Sequence, residues 1–271
     1  MNKKIFALIL IIGAVIFTAG AVLTGKYLYE TISSKNTYEE IKENNTQIAT
    51  SNVKQCEVTE GFDGTVSPTF NIIKDEEIEY LDIDFNGLRR INSDVVAWIH
   101  IRDLDISYPI VQSEWVNKNK YLNYNFKNEP DKNGCLFIYP DARPDFSLSN
   151  TFIYGHNMKS GAMFGKLKKW YKAPNDINDP YIEIYLPDKI ILYRIFAIYR
   201  TEADGEMYYI PSESEYTSYV EKCKQLSIYH PKDIQELKDK RNIISLSTCS
   251  GGNNTRLLIQ AVQVLNREEG S

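Results

Sequence analysis

The sequence predicts a mostly β domain with flanking helices, placed after an apolar segment at the N-terminus. The 271 residues include 19 tyrosines and 11 phenylalanines, which are residue types that strands favour. Several short apolar runs have the period and the bounding turn residues of strands. The chain beyond the apolar segment is also long enough for one well-packed domain of about 150–200 residues.

Composition and charge exclude several classes of function. The net charge is −5 and the chain contains no dense basic run, so we expect no nucleic-acid binding. The sequence indicates no metal site, no disulfide framework and no cofactor, because neither the three histidines nor the cysteines have metal-ligand spacing. The four cysteines are Cys56, Cys135, Cys223 and Cys249.

The N-terminal segment predicts a single-pass membrane anchor within residues 1–25. Residues 5–23 are apolar and uncharged, and as a helix they would span roughly 28 Å, close to a hydrocarbon core. Lys3 and Lys4 precede them and favour a cytoplasmic N-terminus with the rest of the chain outside the cell. A cleaved signal peptide is the alternative, because residues 19–21 (AGA) resemble a cleavage site; the length of the apolar run favours an uncleaved anchor.

Residues 26–74 are predicted to form a stalk or linker, and residues 75–271 the folded domain. The first of these ranges is rich in polar residues and has few periodic patterns, so its Cys56 is interpreted as incidental. The folded domain begins with a predicted amphipathic helix, because apolar residues recur there at helical spacing. These residues are Leu81, Phe85, Leu88 and Ile91.

The middle of the domain predicts strands with two further helices. Strands are predicted near residues 98–101, 106–111, 134–139 and 151–154, followed by a hairpin over 181–200 that is broken at Pro187. One short helix is expected near residues 163–171. A second is expected after the capping box Ser212-x-x-Glu215, inside a long insertion before the last two strands.

The last two strands bring a cysteine and an arginine into a possible pair. Residues 242–249 predict a buried strand in which Ser245, Ser247 and Cys249 share one face, whereas a structural cysteine would more often lie among apolar neighbours. Turn residues follow, and Arg256 then opens a second apolar run. If the two strands pair, a candidate nucleophile and a permanent cation lie side by side.

His156 is the candidate base because it directly follows an apolar strand, where catalytic side chains are often displayed. A lone histidine there could equally be a hydrogen-bonded loop residue. His100 is interpreted as a packed or surface histidine within a strand, and His230 as an exposed turn residue. His156, Cys249 and Arg256 together would supply a base, a nucleophile and an oxyanion donor, provided that the strands meet in one sheet.

These motifs resemble the signature of sortases, specifically of class B. The resemblance covers about residues 81–264, although the seven-residue interval from Cys249 to Arg256 is short for that class and Gly251-Gly252 stands where an acidic residue is often found. The matching sequences are INSDVVAWI at 91–99, YLNYNF at 121–126, YGHNM at 154–158, LSTC at 246–249, and Arg256.

The resemblance implies a sortase-type eight-stranded β-barrel with an N-terminal helical extension and a helix-bearing insertion before the last two strands. It also implies a Gram-positive cell-surface cysteine transpeptidase, held by its N-terminal anchor. Such an enzyme cleaves a C-terminal sorting motif of a secreted protein and links the acyl group to a cell-wall (peptidoglycan) amine through a thioacyl-enzyme. For class B, an Asn-Pro-x-Thr-x motif and haem-uptake cargo are expected.

Residue roles follow from the same resemblance. Cys249 would be the nucleophile, His156 the general acid and base, and Arg256 the stabiliser of oxyanion and substrate. The substrate-binding candidates are the backbone N–H of Ser250, as second oxyanion donor, and the groove residues Ser247, Leu122 and Tyr209.

Three other functions remain possible from the sequence. A pilin-polymerising sortase would keep the chemistry and change the accepting amine. A plain thiol endopeptidase would use the same residues and transfer the acyl group to water. A non-catalytic, membrane-tethered binding barrel would use none of this chemistry.

Overall fold

The computed structural model describes residues 3–49, 79–203, 205–231, 241–249 and 254–268. The chain divides into two compact units, Met1–Glu40 and Ile41–Ser271. For Cys249 the description covers the backbone alone.

The first unit consists of helix. Helix α1 runs over Lys3–Asn45, and its last residues belong to the second unit. Among the described residues this is the one helix whose length and composition would allow it to cross a membrane. The domain boundaries near residues 25 and 74 remain predictions.

The second unit is built on a closed barrel of eight strands, as the sequence analysis expects. Around the barrel the order is β10-β8-β7-β3-β4-β5-β6-β9, so that no strand is left at an edge. The strands are β3 (Val95–Ile101), β4 (Ile106–Gln112), β5 (Leu136–Ile138), β6 (Asn150–Tyr154), β7 (Tyr181–Tyr185), β8 (Lys189–Glu202), β9 (Ile243–Cys249) and β10 (Thr255–Glu268). A separate two-stranded ladder pairs β1 (Thr46–Ile48) with β2 (Leu81–Ile83).

Two of the barrel pairings are parallel, and six are antiparallel. The parallel pairs are β4 with β5 and β6 with β9. The predicted hairpin is confirmed as β7 and β8, with its break at residues 186–188. The parallel β6–β9 pair matters for function, because the carboxyl ends of parallel strands lie at the same edge of a sheet.

The described part of the second unit contains three further α-helices, and their bounds refine the predictions. Helix α2 (Phe85–Ile91) begins later than Leu81, because Leu81 belongs to β2 and the carboxylate of Asp84 caps the helix by accepting from Gly87 N at 2.8 Å. Helix α3 spans Lys168–Lys172, and helix α4 spans Tyr216–Leu226 in the insertion before β9.

Two apolar layers stabilise the barrel. Its interior is filled by buried side chains from alternate positions of every strand, as in Ile153, Ile244 and Leu246, which are 0% exposed. A second layer lies outside the barrel wall, where α4 packs on β8, β9 and β10. Its described members are Phe196, Ala197, Tyr199, Met207, Tyr216, Tyr219, Val220, Cys223, Ile243, Leu258 and Val262.

Candidate active site at the carboxyl ends of β6 and β9

The parallel register of β6 and β9 brings positions 156 and 249 to one edge of the barrel. Tyr154 is paired with Ser247, and the N–H of Gly155 still donates to the Ser247 carbonyl at 3.1 Å. His156 and Cys249 each lie two residues beyond this last pair. The sequence could not show this pairing, because no local pattern specifies which strands become parallel neighbours.

Arg256 lies directly opposite Cys249 in the antiparallel β9–β10 pair. Opposed residues in such a ladder have Cα atoms roughly 4.5–5.5 Å apart. The guanidinium is partly exposed and its Nη1 donates to the Thr255 carbonyl at 3.3 Å. In the described part of the chain no carboxylate forms an ion pair with it. The ladder thus places the arginine next to position 249 in the described structure.

His156 is oriented by a hydrogen bond to the loop that contains Leu122. Its Nε2 lies 2.8 Å from the Leu122 carbonyl oxygen, so the ring nitrogen donates there when it is protonated. The backbone of the histidine is also fixed, since its carbonyl accepts from Phe164 N at 3.0 Å. The main chain of the candidate groove residue Leu122 thus contacts the imidazole of the candidate base.

The groove candidates Ser247 and Tyr209 have different environments. Ser247 is 2% exposed, and its hydroxyl is hydrogen-bonded to the hydroxyl of Tyr208 at 2.8 Å. Tyr209 is 38% exposed, and its ring packs edge-on against Tyr219 with centroids 5.0 Å apart. Tyr208, which the sequence analysis did not select, is therefore the insertion residue that contacts the candidate nucleophile strand.

A strip of half-buried aromatic rings extends from the insertion to the histidine edge. Tyr208 stacks on Phe152 at 5.2 Å, Phe152 stacks on Tyr154 at 6.2 Å, and Tyr154 meets Tyr139 edge-on at 4.8 Å. Burial and a nearby Asp141 carboxylate raise the pKa of Tyr139, and the Arg256 guanidinium opposes this rise. This strip is a candidate groove wall whose only sequence signal was the alternation of aromatic residues in β6.

The other candidates have plainer environments. Ser250 lies outside the described residues, so its role stays a prediction. Cys223 and Cys135 are buried free thiols, and burial raises the pKa of Cys223 to about 12, which suits packing rather than nucleophilic chemistry. His230 is exposed, as predicted. Across the described ranges, no group of three His, Cys, Asp or Glu residues could hold a metal ion.

Comparison with known proteins identifies the family. A family model described as a sortase domain matches residues 99–264. A relative named sortase B from Listeria monocytogenes is 35% identical over 170 residues, which cover 61% of this chain and 67% of that protein. The chain belongs to the sortase family, and within it to class B. It is therefore a sortase-type cysteine transpeptidase that acts on sorting-motif substrates.

Solved sortase B structures share the barrel of this class B sortase. The structure from Listeria monocytogenes is 33% identical, has a TM-score of 0.56, and covers 65% of this chain and 98% of its own. The structure of sortase B from Bacillus anthracis in complex with AAEK1 is 25% identical, has a TM-score of 0.65, and covers 88% of this chain and 99% of its own.

Proposed function

We propose that this sortase joins a sorting-motif protein to a cell-wall amine through a thioacyl-enzyme on Cys249. The observation that supports it best is the register of β9, which has the His156 strand as parallel neighbour on one side and Arg256 opposite Cys249 on the other. A base, a thiol and a fixed cation are the three groups that acyl transfer by cysteine requires.

In the first step the Cys249 thiolate attacks the scissile carbonyl carbon, and a carbon–sulfur bond forms. The carbon–nitrogen bond then breaks, and His156 donates its proton to the departing amine. In the second step an incoming amine attacks the thioester, His156 takes its proton, and the thiolate is released. The hydrogen bond from His156 to the Leu122 carbonyl holds the imidazole in one orientation for both transfers.

Arg256 stabilises the negative oxygen that develops in both steps, and the N–H of Ser250 is the proposed second donor. The guanidinium suits this role because it stays protonated and is unpaired by carboxylates within the described residues. Ser247, Leu122 and Tyr209 are proposed to line the groove for the motif. For the peptide we expect an Asn-Pro-x-Thr-x sequence, and for the cargo a haem-uptake protein.

The enzyme is proposed to be anchored in the cell membrane by residues 1–25, with its N-terminus in the cytoplasm and its catalytic domain outside. Support comes from the one described helix that is long and apolar enough to span a bilayer, next to the N-terminal lysines. A barrel held at the outer membrane surface would meet both secreted substrates and peptidoglycan precursors.

Competition between an amine and water tests this function directly. Full-length protein in detergent micelles would be given an Asn-Pro-x-Thr-x peptide library with or without triglycine, a mimic of a wall amine. We expect peptide–triglycine adducts to dominate when the amine is present, and Cys249→Ala to abolish both products. Cys135→Ala, which alters a buried thiol in the barrel, is the matched control and should retain adduct formation.

Three results would contradict the proposal. Free acid as the main product at saturating triglycine would indicate a thiol endopeptidase. Adduct formation by Cys249→Ala at the wild-type rate would leave the nucleophile unassigned. A preference for a lysine side chain of a pilin-like peptide over triglycine would instead favour pilus assembly.

A further inference from the structure

Four buried polar side chains form a closed hydrogen-bonded ring outside the barrel wall, under α4. The Ser245 hydroxyl donates to Asn150 Oδ1 at 2.8 Å, and Gln260 Nε2 donates to the Ser245 hydroxyl at 3.0 Å. Gln260 Nε2 also donates to the Tyr219 hydroxyl at 2.7 Å, and Asn150 Nδ2 closes the ring by donating to the same hydroxyl at 2.9 Å. All four residues are at most 1% exposed.

The ring fixes the direction in which the Tyr219 hydroxyl points. Its oxygen accepts from two amide groups, so both lone pairs are occupied and its hydrogen must go elsewhere. That hydrogen is donated to the Met207 carbonyl at 3.1 Å. Burial raises the pKa of Tyr219, so the hydroxyl keeps this proton at every pH of interest. The ring is thus linked to the Met207 carbonyl by the one hydrogen bond that the Tyr219 hydroxyl donates.

The ring member Asn150 and its neighbour Ser149 bind the same segment at the next two alternate carbonyls. Asn150 Nδ2 donates to the Tyr209 carbonyl at 3.4 Å, and the Ser149 hydroxyl donates to the Pro211 carbonyl at 2.6 Å. The carbonyls of residues 207, 209 and 211 therefore all accept hydrogen bonds, from α4, from β6 and from the residue before β6 respectively. Residues 207–211, named here the insertion segment, are thus hydrogen-bonded at three alternate carbonyls by donors from α4 and from the start of β6.

The insertion segment contains two tyrosines, one of which contacts the strand of the candidate nucleophile. Tyr208 is bonded to Ser247, two residues before Cys249, and stacks on Phe152. Tyr209 leaves its ring partly exposed beside Tyr219. The segment that carries both rings is fixed by its three bonded carbonyls together with the buried side chain of Met207.

We infer that Tyr219, Asn150 and Ser149 are positioning residues for sortase turnover, which set the insertion segment in its substrate-binding conformation without touching substrate. This inference rests on the proposed function, since it assigns the segment to the groove of that site. A variant that holds the binding conformation one tenth of the time would show an apparent affinity about tenfold weaker, with unchanged chemistry once substrate is bound.

The test compares Tyr219→Phe with Tyr216→Phe in the full-length protein. Tyr216 is a buried phenol on the same helix, and its hydroxyl donates to the Arg241 carbonyl and accepts from the Arg241 N–H. With the Asn-Pro-x-Thr-x peptide and saturating triglycine, we expect Tyr219→Phe to raise KM about tenfold with kcat within twofold, and Tyr216→Phe to change neither. Ser149→Ala removes a donor outside the buried ring and should raise KM about threefold.

Amide hydrogen exchange without substrate gives an independent readout. The peptide that covers residues 205–211 should exchange at least tenfold faster in Tyr219→Phe than in wild type or Tyr216→Phe. Three outcomes would overturn the inference: a lower kcat at unchanged KM, equal effects of the two tyrosine variants, or unchanged exchange. If Tyr219→Phe fails to fold, Ser149→Ala is judged by the same criteria. Absence of any acyl-enzyme in wild type would refute the proposed function instead. Amide hydrogen exchange would in that case still show whether the ring holds the insertion segment in place.

Discussion

Arginine at position 256 offers a planar fork of donors beside the candidate nucleophile, whereas a lysine would offer a point charge on a flexible stem. We predict that Arg256→Ala lowers kcat/KM by about 10²–10³, the usual cost of about 3–4 kcal/mol for the loss of one oxyanion donor. Arg256→Lys should recover only part of this loss, because the charge remains and the fork does not. Steady-state kinetics with the sorting peptide measure both.

The control for this pair is Arg90→Ala, which removes an exposed arginine of α2 that lies 3.7 Å from Asp84. It should leave kcat/KM within twofold of wild type. If Arg256→Lys were as active as wild type, the cation alone would suffice and the bidentate role would be wrong.

His100 predicts a second effect at the residue scale, on stability at acid pH. Its Nδ1 is buried and has no hydrogen-bond partner among the described residues. Burial, with Arg102 and Lys42 nearby, lowers its pKa from 6.5 to about 4, against the opposing effect of Asp105 and Asp179. As the pH falls from 6.5 to 4, His100 therefore binds a proton in the unfolded chain before it does so in the folded chain. The free energy of unfolding decreases across that pH range.

Replacing this histidine should flatten the acid side of the stability profile. Between pH 7 and pH 4.5, His100→Gln should lose about 2 kcal/mol less unfolding free energy than wild type, as measured by urea titration at both pH values. His230→Gln, which alters an exposed histidine, should follow the wild-type profile. Parallel pH profiles for His100→Gln and wild type would contradict the buried, neutral state of His100.

At the scale of elements, the sequence predicted individual strands better than their partners. The alternation in residues 242–249 correctly placed Cys249 at the end of a strand, and the structure fulfils the condition that this strand pairs with the one that Arg256 opens. The parallel partnership of β6 and β9 depends on long-range packing, which one sequence does not display. The hydrogen-bonded ring under α4 was missed for the same reason, since its members are widely separated along the chain.

Gly155 shows how closely β6 packs at the point where it ends. A β-carbon at this position would overlap Leu136 Cδ2 and lie 2.7 Å from Phe164 Cδ2. We predict that Gly155→Ala destabilises the barrel by about 1–3 kcal/mol through overpacking, and lowers kcat because His156 is the next residue. Lys159→Ala, an exposed substitution in the same loop, is the control for both urea titration and kinetics.

Wild-type stability and turnover in Gly155→Ala would show that the loop can shift without consequence. The orientation of His156 by the Leu122 carbonyl would then not be required for activity.

At the scale of the whole molecule, the prediction of a mostly β domain with an eight-stranded barrel is confirmed, including the helix-bearing insertion before β9. The general class was readable from periodicity, whereas the eight-stranded barrel came from the resemblance to sortases, and the strand order was not predicted. The boundaries of anchor and stalk stay predictions, because residues 50–78 lie outside the described ranges.

The anchor gives a prediction at this scale. Because the apolar run is longer than a usual signal core, the protein should remain in the membrane fraction after an alkaline wash, with an intact mass that includes the N-terminal residues. Protease added to protoplasts should remove the catalytic domain. A mass that begins after residue 21 would instead indicate a cleaved signal peptide.

The central claim is that the reaction passes through a thioester on the strand-end cysteine. Acid-quenched intact-mass measurement of the full-length protein, mixed with the Asn-Pro-x-Thr-x peptide and no added amine, tests it most directly. We expect one peptide acyl adduct that maps to Cys249 by fragmentation, accumulates within the first turnover and disappears on addition of triglycine. Product formation without such an adduct, or an adduct on Cys135 or Cys223, would contradict it.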